Sequence, residues 1–326
     1  MALKINLACL IFDISLPRMN KVGLFWMVFS VIFFGCHTSK ETGNKKLTIL
    51  CTTGIVQDLV KNVVGDHADV GALMGAGVDP HVFKASQGDI QKFYAADLIV
   101  VNGLHLEGKL AEILSNLKKL KPVYVLSSVL NEELLLQTDP KHKIHDPHIW
   151  FDVSVWSECV QGFGNYISKF DTTHQKEYLS NTTQYRQSLS DLHQWAGIQT
   201  RTIPVNQRVL ITSHDAFNYF GRAYKVEVVG LQGISTMSEY GIRDISNIVS
   251  MITNRKIPAV FIESSVSSKS LMAVIESCKK KKHHVVNGGM IYSDALGKEG
   301  TPEGTYIGMV KHNVNTIVTK LTGIKK

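Results

Sequence analysis

Cysteine is scarce and scattered. The five residues, Cys9, Cys36, Cys51, Cys159 and Cys278, form no Cys-x-x-Cys pair, which argues against a thiolate zinc site. Cys51 stands in an apolar stretch and reads as a small core residue. Nothing argues for or against a bridge between Cys159 and Cys278. Charge is sparse as well, with Asp, Glu, Lys and Arg making up 19% of the chain. The net charge of +7 comes partly from the N-terminal segment and partly from Lys279 to Lys282, a run that reads as a solvated face. It is joined by no zinc-finger, helix-turn-helix or RNA-binding signature, so nucleic acid is not an expected partner. A membrane-spanning run is missing too. The apolar run Val22 to Phe34 is about 13 residues, short of the ~20 that cross a bilayer as a helix.

What is present suits a globular protein with an added leader. The 326 residues are 44% hydrophobic, enough to bury one large core or two medium ones. Residues 19 to 36 read as an export signal: Met19-Asn20-Lys21, the short apolar run, then Gly35-Cys36. That ending resembles a lipoprotein signal in which Cys36 becomes lipidated and anchors the chain to a membrane, although Phe33 stands where an aliphatic residue is usual. Met19 reads as a better start than Met1. His37 to Lys46 is polar and suits a tether.

From Leu47 onward strands alternate with helices. The patterns predict strands at 47–52, 69–74, 98–101 and 123–126, and helices at 54–65, 85–95 and 109–117. Residues 130 to 145 read as a polar loop. Residues 153–170 read as a helix, and 173–201 as another of about 28 residues, roughly 42 Å long, a strut rather than an ordinary globular helix. After Pro204 the alternation restarts, with strands at 208–212, 226–231, 259–262 and 284–286 and helices at 215–224, 239–255, 269–281 and 305–321. The predicted fold class is therefore α/β: two lobes, each with a mostly parallel sheet flanked by helices, bridged by one long rigid helix. The boundaries are a leader 1–36, a tether 37–46, an N-terminal lobe 47–170, a linking helix 171–203 and a C-terminal lobe 204–326.

Four side chains stand out against this frame. Asp146-Pro147-His148 and Asp79-Pro80-His81 are two copies of one stiff turn, because proline fixes its own φ and restricts the residue before it. Thr212-Ser213-His214-Asp215 and Tyr292-Ser293-Asp294 are placed to meet them. All four fall on loops or helix starts after predicted strands, where open α/β sheets line their ligand crevice. His214 is read as lying two residues beyond its strand, with Asp215 capping the helix behind it. Three imidazoles and a carboxylate, His81, His148, His214 and Asp294, form a four-donor set suited to Zn²⁺. Two such donors would come from each lobe.

The chain resembles the metal-binding lipoproteins of bacterial ABC importers for zinc and manganese, the ZnuA/TroA-like solute-binding proteins. The resemblance covers nearly everything after Leu47. It rests on Asp79-Pro80-His81, Asn102-Gly103-Leu104 with Glu107, Asp146-Pro147-His148-Ile149-Trp150, His214-Asp215-Ala216-Phe217 with Tyr219-Phe220, Gly233-Ile234-Ser235-Thr236 with Glu239, Phe261-Ile262-Glu263, and Tyr292-Ser293-Asp294-Ala295-Leu296-Gly297. It implies metal ligands at His81, His148, His214 and Asp294, and an ABC permease as partner. It also implies a periplasmic or cell-surface, membrane-anchored location in a bacterium. The histidine at 214 resembles the zinc-type and mixed branches; manganese or iron is the alternative cargo. The long histidine-rich loop of many zinc-type members is reduced to Lys141-His142-Lys143-Ile144-His145, where His142 and His145 are candidate weak collectors. His105 is not expected to be a ligand, and His283 and His284 are expected to face solvent. Glu239 and Glu263 are read as caps or supports before ligands. A receptor, not an enzyme, is expected, because four protein ligands leave no open position for water, and a monomer is expected. The competing classes are a metal-dependent hydrolase, with Glu239 or Glu263 as base, and a metal-binding adhesin.

Overall fold

A computed structural model describes residues 46–139, 144–238 and 241–323. The leader with Cys36, most of the tether, His142 and Glu239 lie outside these residues.

The first half of the described chain is built on a four-stranded parallel sheet. Its strands are β1 (Leu47–Thr53), β2 (Ala68–Met74), β3 (Leu98–Val101) and β4 (Val123–Val125), in the order β2-β1-β3-β4. All four residues of β3 are buried, as are Ile49 to Thr53 of β1. Such continuous apolar runs mark strands covered on both faces. Helix α1 (Gly54–Val64) starts directly at the end of β1. Thr53 caps it by accepting the Val56 N–H at 3.2 Å, and Gly65 ends it at φ 56°. Ile55, Val56, Leu59, Val60, Val63 and Val64 form its buried stripe. Helices α2 (Gln87–Ala95) and α3 (Ala111–Leu117) complete this half.

The second half repeats the plan. Strands β7 (Val209–His214) and β8 (Glu227–Gln232) pair in parallel, as do β9 (Ala259–Glu263) and β10 (Val286–Ile291), and β9 runs beside β7. Helices α6 (Asn218–Tyr224), α7 (Ile242–Arg255), α8 (Lys269–Lys280) and α9 (Tyr306–Thr322) connect and flank them. Between the halves run α4 (Val153–Phe170) and the 27-residue α5 (Gln175–Arg201), the latter about 40 Å long. Its buried stripe is Tyr178, Thr182, Tyr185, Leu189, Leu192, Ala196 and Thr200.

Helix α5 does not bridge a gap. It packs on α1 of the first half and on α6 and α9 of the second. Asn181 donates to the Val63 carbonyl, and Tyr185 donates to Asp58, tying the long helix to the first half. A single apolar cluster contains Ile49, Trp150, Trp156, Tyr185, Leu189, Phe217, Tyr219 and Tyr306. Moving one half against the other would have to break this close-packed core.

The elements depart from the sequence reading at a few places. Strand β7 continues through His214, so that residue ends a strand instead of following one. The next helix starts at Asn218, and Asp215 does not cap it; its carboxylate accepts the Gly230 N–H at 3.1 Å. Strand β10 occupies 286–291 rather than 284–286, with a register shift between Asn287 and Met290 at the Gly288-Gly289 pair. Its glycines and exposed Val286 and Met290 hide the apolar signal that would have marked it. The loop at 130–145 contains a short antiparallel pair, β5 (Gln137–Asp139) with β6 (Ile144–His145). His283 is half-buried and bonds the Ile257 carbonyl at 3.2 Å, so it does not face solvent as expected. Cys51, Cys159 and Cys278 are buried free thiols, so Cys159 and Cys278 are not bridged.

At the α4–α5 crossing, a side chain on Gly164 would come within 2.7 Å of the Thr182 methyl. Gly164→Val should therefore destabilise the fold by about 2 kcal/mol, measured as a lower urea midpoint with an unchanged m-value.

Candidate metal centre

Each candidate ligand is held by a different local device. In both Asp-Pro-His turns the aspartate carboxylate accepts the backbone N–H of the histidine two residues on, at 2.9 Å for Asp79–His81 and 2.9 Å for Asp146–His148. The proline makes the turn stiff, and the Asx hook closes it. The second copy goes further, because Asp146 also meets the His148 Nδ1 at 2.6 Å. Asn102 donates to the Pro147 carbonyl at 2.9 Å. Asn102 is itself held by Glu107, a buried carboxylate that accepts from Thr52 Oγ1 and from the Asn102 and Gly103 N–H groups. Burial pushes the Glu107 pKa up, against those donors. The Asn-Gly segment recognised in the sequence is thus a brace behind His148. His105, within it, is exposed and stands at φ 63°.

His214 ends β7 against Glu263 at the end of β9. The Glu263 carboxylate accepts the His214 backbone N–H at 2.9 Å and meets its Nδ1 at 2.5 Å. This is the supporting role expected for Glu263. Gly230 of β8 is essential to the packing here, since a Cβ there would lie 2.6 Å from the His214 carbonyl carbon. Asp294 follows β10, and the Trp150 indole fixes its neighbour by donating to the Ser293 carbonyl at 3.0 Å.

These devices bring His81, His148, His214 and Asp294 together, with one ligating atom from each lying within 4.8 Å of the others. The Nε2 atoms of His81 and His148 are 3.2 Å apart. Asp294 Oδ2 is 3.2 Å from His214 Nε2 and 3.9 Å from His81 Nε2, and its Oδ1 is 3.5 Å from His148 Nε2. Four donors each about 2.0–2.1 Å from a tetrahedral ion would stand about 3.3 Å apart. His148 and His214 are 0% exposed, Asp294 1% and His81 4%. Both Asp294 oxygens and His214 Nε2 are buried and, among the described residues, the Asp294 oxygens meet only the other candidate ligands. Because Nδ1 of His148 and of His214 faces a carboxylate, each ring presents its Nε2 inward, the usual arrangement behind a metal-bound imidazole. The donor types and their clustering fit a divalent ion. Of the other histidines, His145 lies 3.0 Å from Glu132 in the β5–β6 hairpin, outside this cluster.

The centre is electrostatically uneven. Burial pushes His81 down to about 4, against the pull of Asp294. Burial acts the same way on His214, but the carboxylates of Glu263 and Asp294 override it and hold its pKa well above the ordinary value. Burial alone would raise Asp294, yet the surrounding imidazoles hold it well below the usual carboxylate range.

The buried cluster of three imidazoles and a carboxylate sits in a chain whose fold and sequence are those of the metal-binding receptors of ABC importers, which are solute-binding proteins and not enzymes. The chain belongs to the ZnuA family, described as the periplasmic zinc-uptake complex component A, whose sequence pattern matches residues 49–320. It is 42% identical over 289 residues to the manganese-binding lipoprotein MntA of Bacillus subtilis, covering 88% of this chain and 94% of that one. It is 40% identical over 288 residues to the zinc-binding protein TroA of Treponema pallidum, covering 88% and 92%. The solved structure of that periplasmic zinc-binding protein superposes with a TM-score of 0.82, covering 85% of this chain and 99% of the other.

In the metal-free protein, imidazole NMR should show His81 titrating near 4 and His214 titrating above the ordinary histidine range. Asp294→Asn should lower the His214 pKa by removing one of its two carboxylate partners; an unmoved His214 would show that Asp294 does not hold that proton.

Proposed function

We propose that this chain captures Zn²⁺ through His81, His148, His214 and Asp294 and delivers it to the permease of an ABC importer. The observation that carries this reading is the fully buried Asp294 carboxylate facing three Nε2 atoms, with His214 Nε2 its nearest partner at 3.2 Å. A carboxylate in that position is costly unless it is compensated, and a divalent cation compensates it. Three nitrogens and one carboxylate suit Zn²⁺, and a tetrahedron so filled leaves no site for a catalytic water. The ion is therefore cargo, held for transfer. The lobes are 47–170 and 204–326, with 171–203 as the linking helix and the ligands shared two and two. Relatives named as lipoproteins, such as MntA, support an anchor on Cys36 and a location outside the cytoplasmic membrane.

Manganese is the second reading, and two observations favour it. The MntA relative is named for manganese. Both Asp294 oxygens also approach histidine nitrogens, at 3.2 and 3.5 Å, so the carboxylate could supply two donors and raise the coordination number above four. Equilibrium affinity favours Zn²⁺ over Mn²⁺ at such a site whichever ion is physiological.

Metal content tests the site. The soluble chain from Thr38, purified without added metal, should carry one equivalent of zinc that His214→Ala loses. Manganese instead would change the cargo and keep the site; no metal, and none taken up on titration, would end the reading. Uptake should expel the His214 proton, about one per ion. Apparent affinity should then rise with pH until the raised His214 pKa is passed, since below it protons compete with the ion. Calorimetry in buffers of different ionisation enthalpy counts that proton. Glu263→Gln should weaken binding about 10- to 100-fold.

A further inference from the structure

The four candidate ligands are not equally braced. His214 ends a strand and holds Glu263 through two contacts. His148 precedes a short 3-10 turn, and its ring is backed by Asp146. Helix α6 of the second half clamps that stretch further: Asn218 donates to Asp146 Oδ2, Tyr219 to the Asp146 carbonyl, and Arg222 to Asp152 and to the Leu134 carbonyl. His81 has no such frame. It lies between β2 and α2 in a segment without regular structure. Among the described residues, Asp294 is the only carboxylate within ion-pair distance of its ring.

Among the described residues, one side-chain hydrogen bond reaches the 75–86 segment from the second half. Thr236 Oγ1 donates to Asp79 Oδ2 at 2.6 Å, while Asp79 Oδ1 holds the His81 N–H. Thr236 is itself carried by an ordered strap. Gln232 donates its amide to the Thr236 and Ser238 carbonyls at 3.2 and 3.1 Å, and Ser238 N–H bonds the Ser235 carbonyl. Gln232 is the ladder partner of His214. A chain of contacts therefore runs His214, Gln232, Thr236, Asp79, His81, from one side of the centre around to the other.

We propose that Thr236 is a positioning residue that seats His81 by clasping Asp79 across the two halves, and that this clasp sets how fast the ion leaves. The proposal rests on the metal-capture reading above. With the halves sharing one core, release does not need them to part; swinging the weakly braced His81 turn away would suffice. Breaking the clasp should speed dissociation and leave capture, which needs only the open turn, unchanged.

The test is the release of Zn²⁺ from the loaded protein into excess 4-(2-pyridylazo)resorcinol, followed by stopped-flow absorbance. Thr236→Val, which keeps the shape and removes the hydroxyl, should release zinc about tenfold faster, the weight of one hydrogen bond to a charged group. Its association rate should stay as in the wild type. Thr236→Ser should restore the wild-type rate, which a purely packing role for the methyl group would not. If Thr236→Val does not fold, Gln232→Ala, which removes the support under Thr236, replaces it in the same assay and should also release zinc faster. Release at the wild-type rate, or a serine variant no slower than the valine one, would overturn the clasp while leaving metal capture standing. A wild-type protein that takes up no zinc would overturn both.

Discussion

The Asp294 carboxylate is buried among three imidazoles and meets only their Nε2 atoms among the described residues, and much of the surrounding structure answers to that constraint. An ionised group so enclosed costs several kcal/mol unless opposite charge compensates it. In the metal-free protein the carboxylates of Glu263 and Asp294 hold the His214 pKa high, and the surrounding imidazoles hold that of Asp294 low. A bound divalent ion would supply the compensating charge directly. The same cage is thus suited to a cation and sensitive to proton concentration.

Around that point the fold provides rigidity in two layers. The inner layer is polar: Asp146 and Glu263 fix the orientation of two imidazoles, and Glu107 and Asn102 fix the turn that carries one of them. The outer layer is apolar. One cluster runs through both halves and along the long helix, and close packing of that kind does not deform gradually. Such a frame suits a receptor in which ligand movement is local. His81, tied across the centre through Asp79 and Thr236, is the part of the cage least held by either layer.

Much of this was legible in the chain. The long helix, the four parallel strands of the first half and the repeated Asp-Pro-His turn could all be read, because period-2 and period-3.6 patterns and proline geometry are local properties. All four candidate ligands were named from motif and resemblance. What escaped were features with no local signature. The end of β7 extends into His214 because Glu263 and Gln232, far along the chain, supply its partners. Strand β10 is glycine-rich and partly exposed, so its place depends on pairing with β9. Gly230 looks like any strand glycine until the His214 backbone is found against it.

The sequence by itself determined the class of the fold, the stiffness of two ligand turns and the donor types available to a metal. These follow from residue chemistry and short-range sterics. Only the tertiary structure decided the distances among the donors, which histidine is backed by a carboxylate and which is held by one hydrogen bond. Those depend on burial and on contacts between segments as far apart as Asp79 and Thr236, 157 positions along the chain, and no local pattern carries such information.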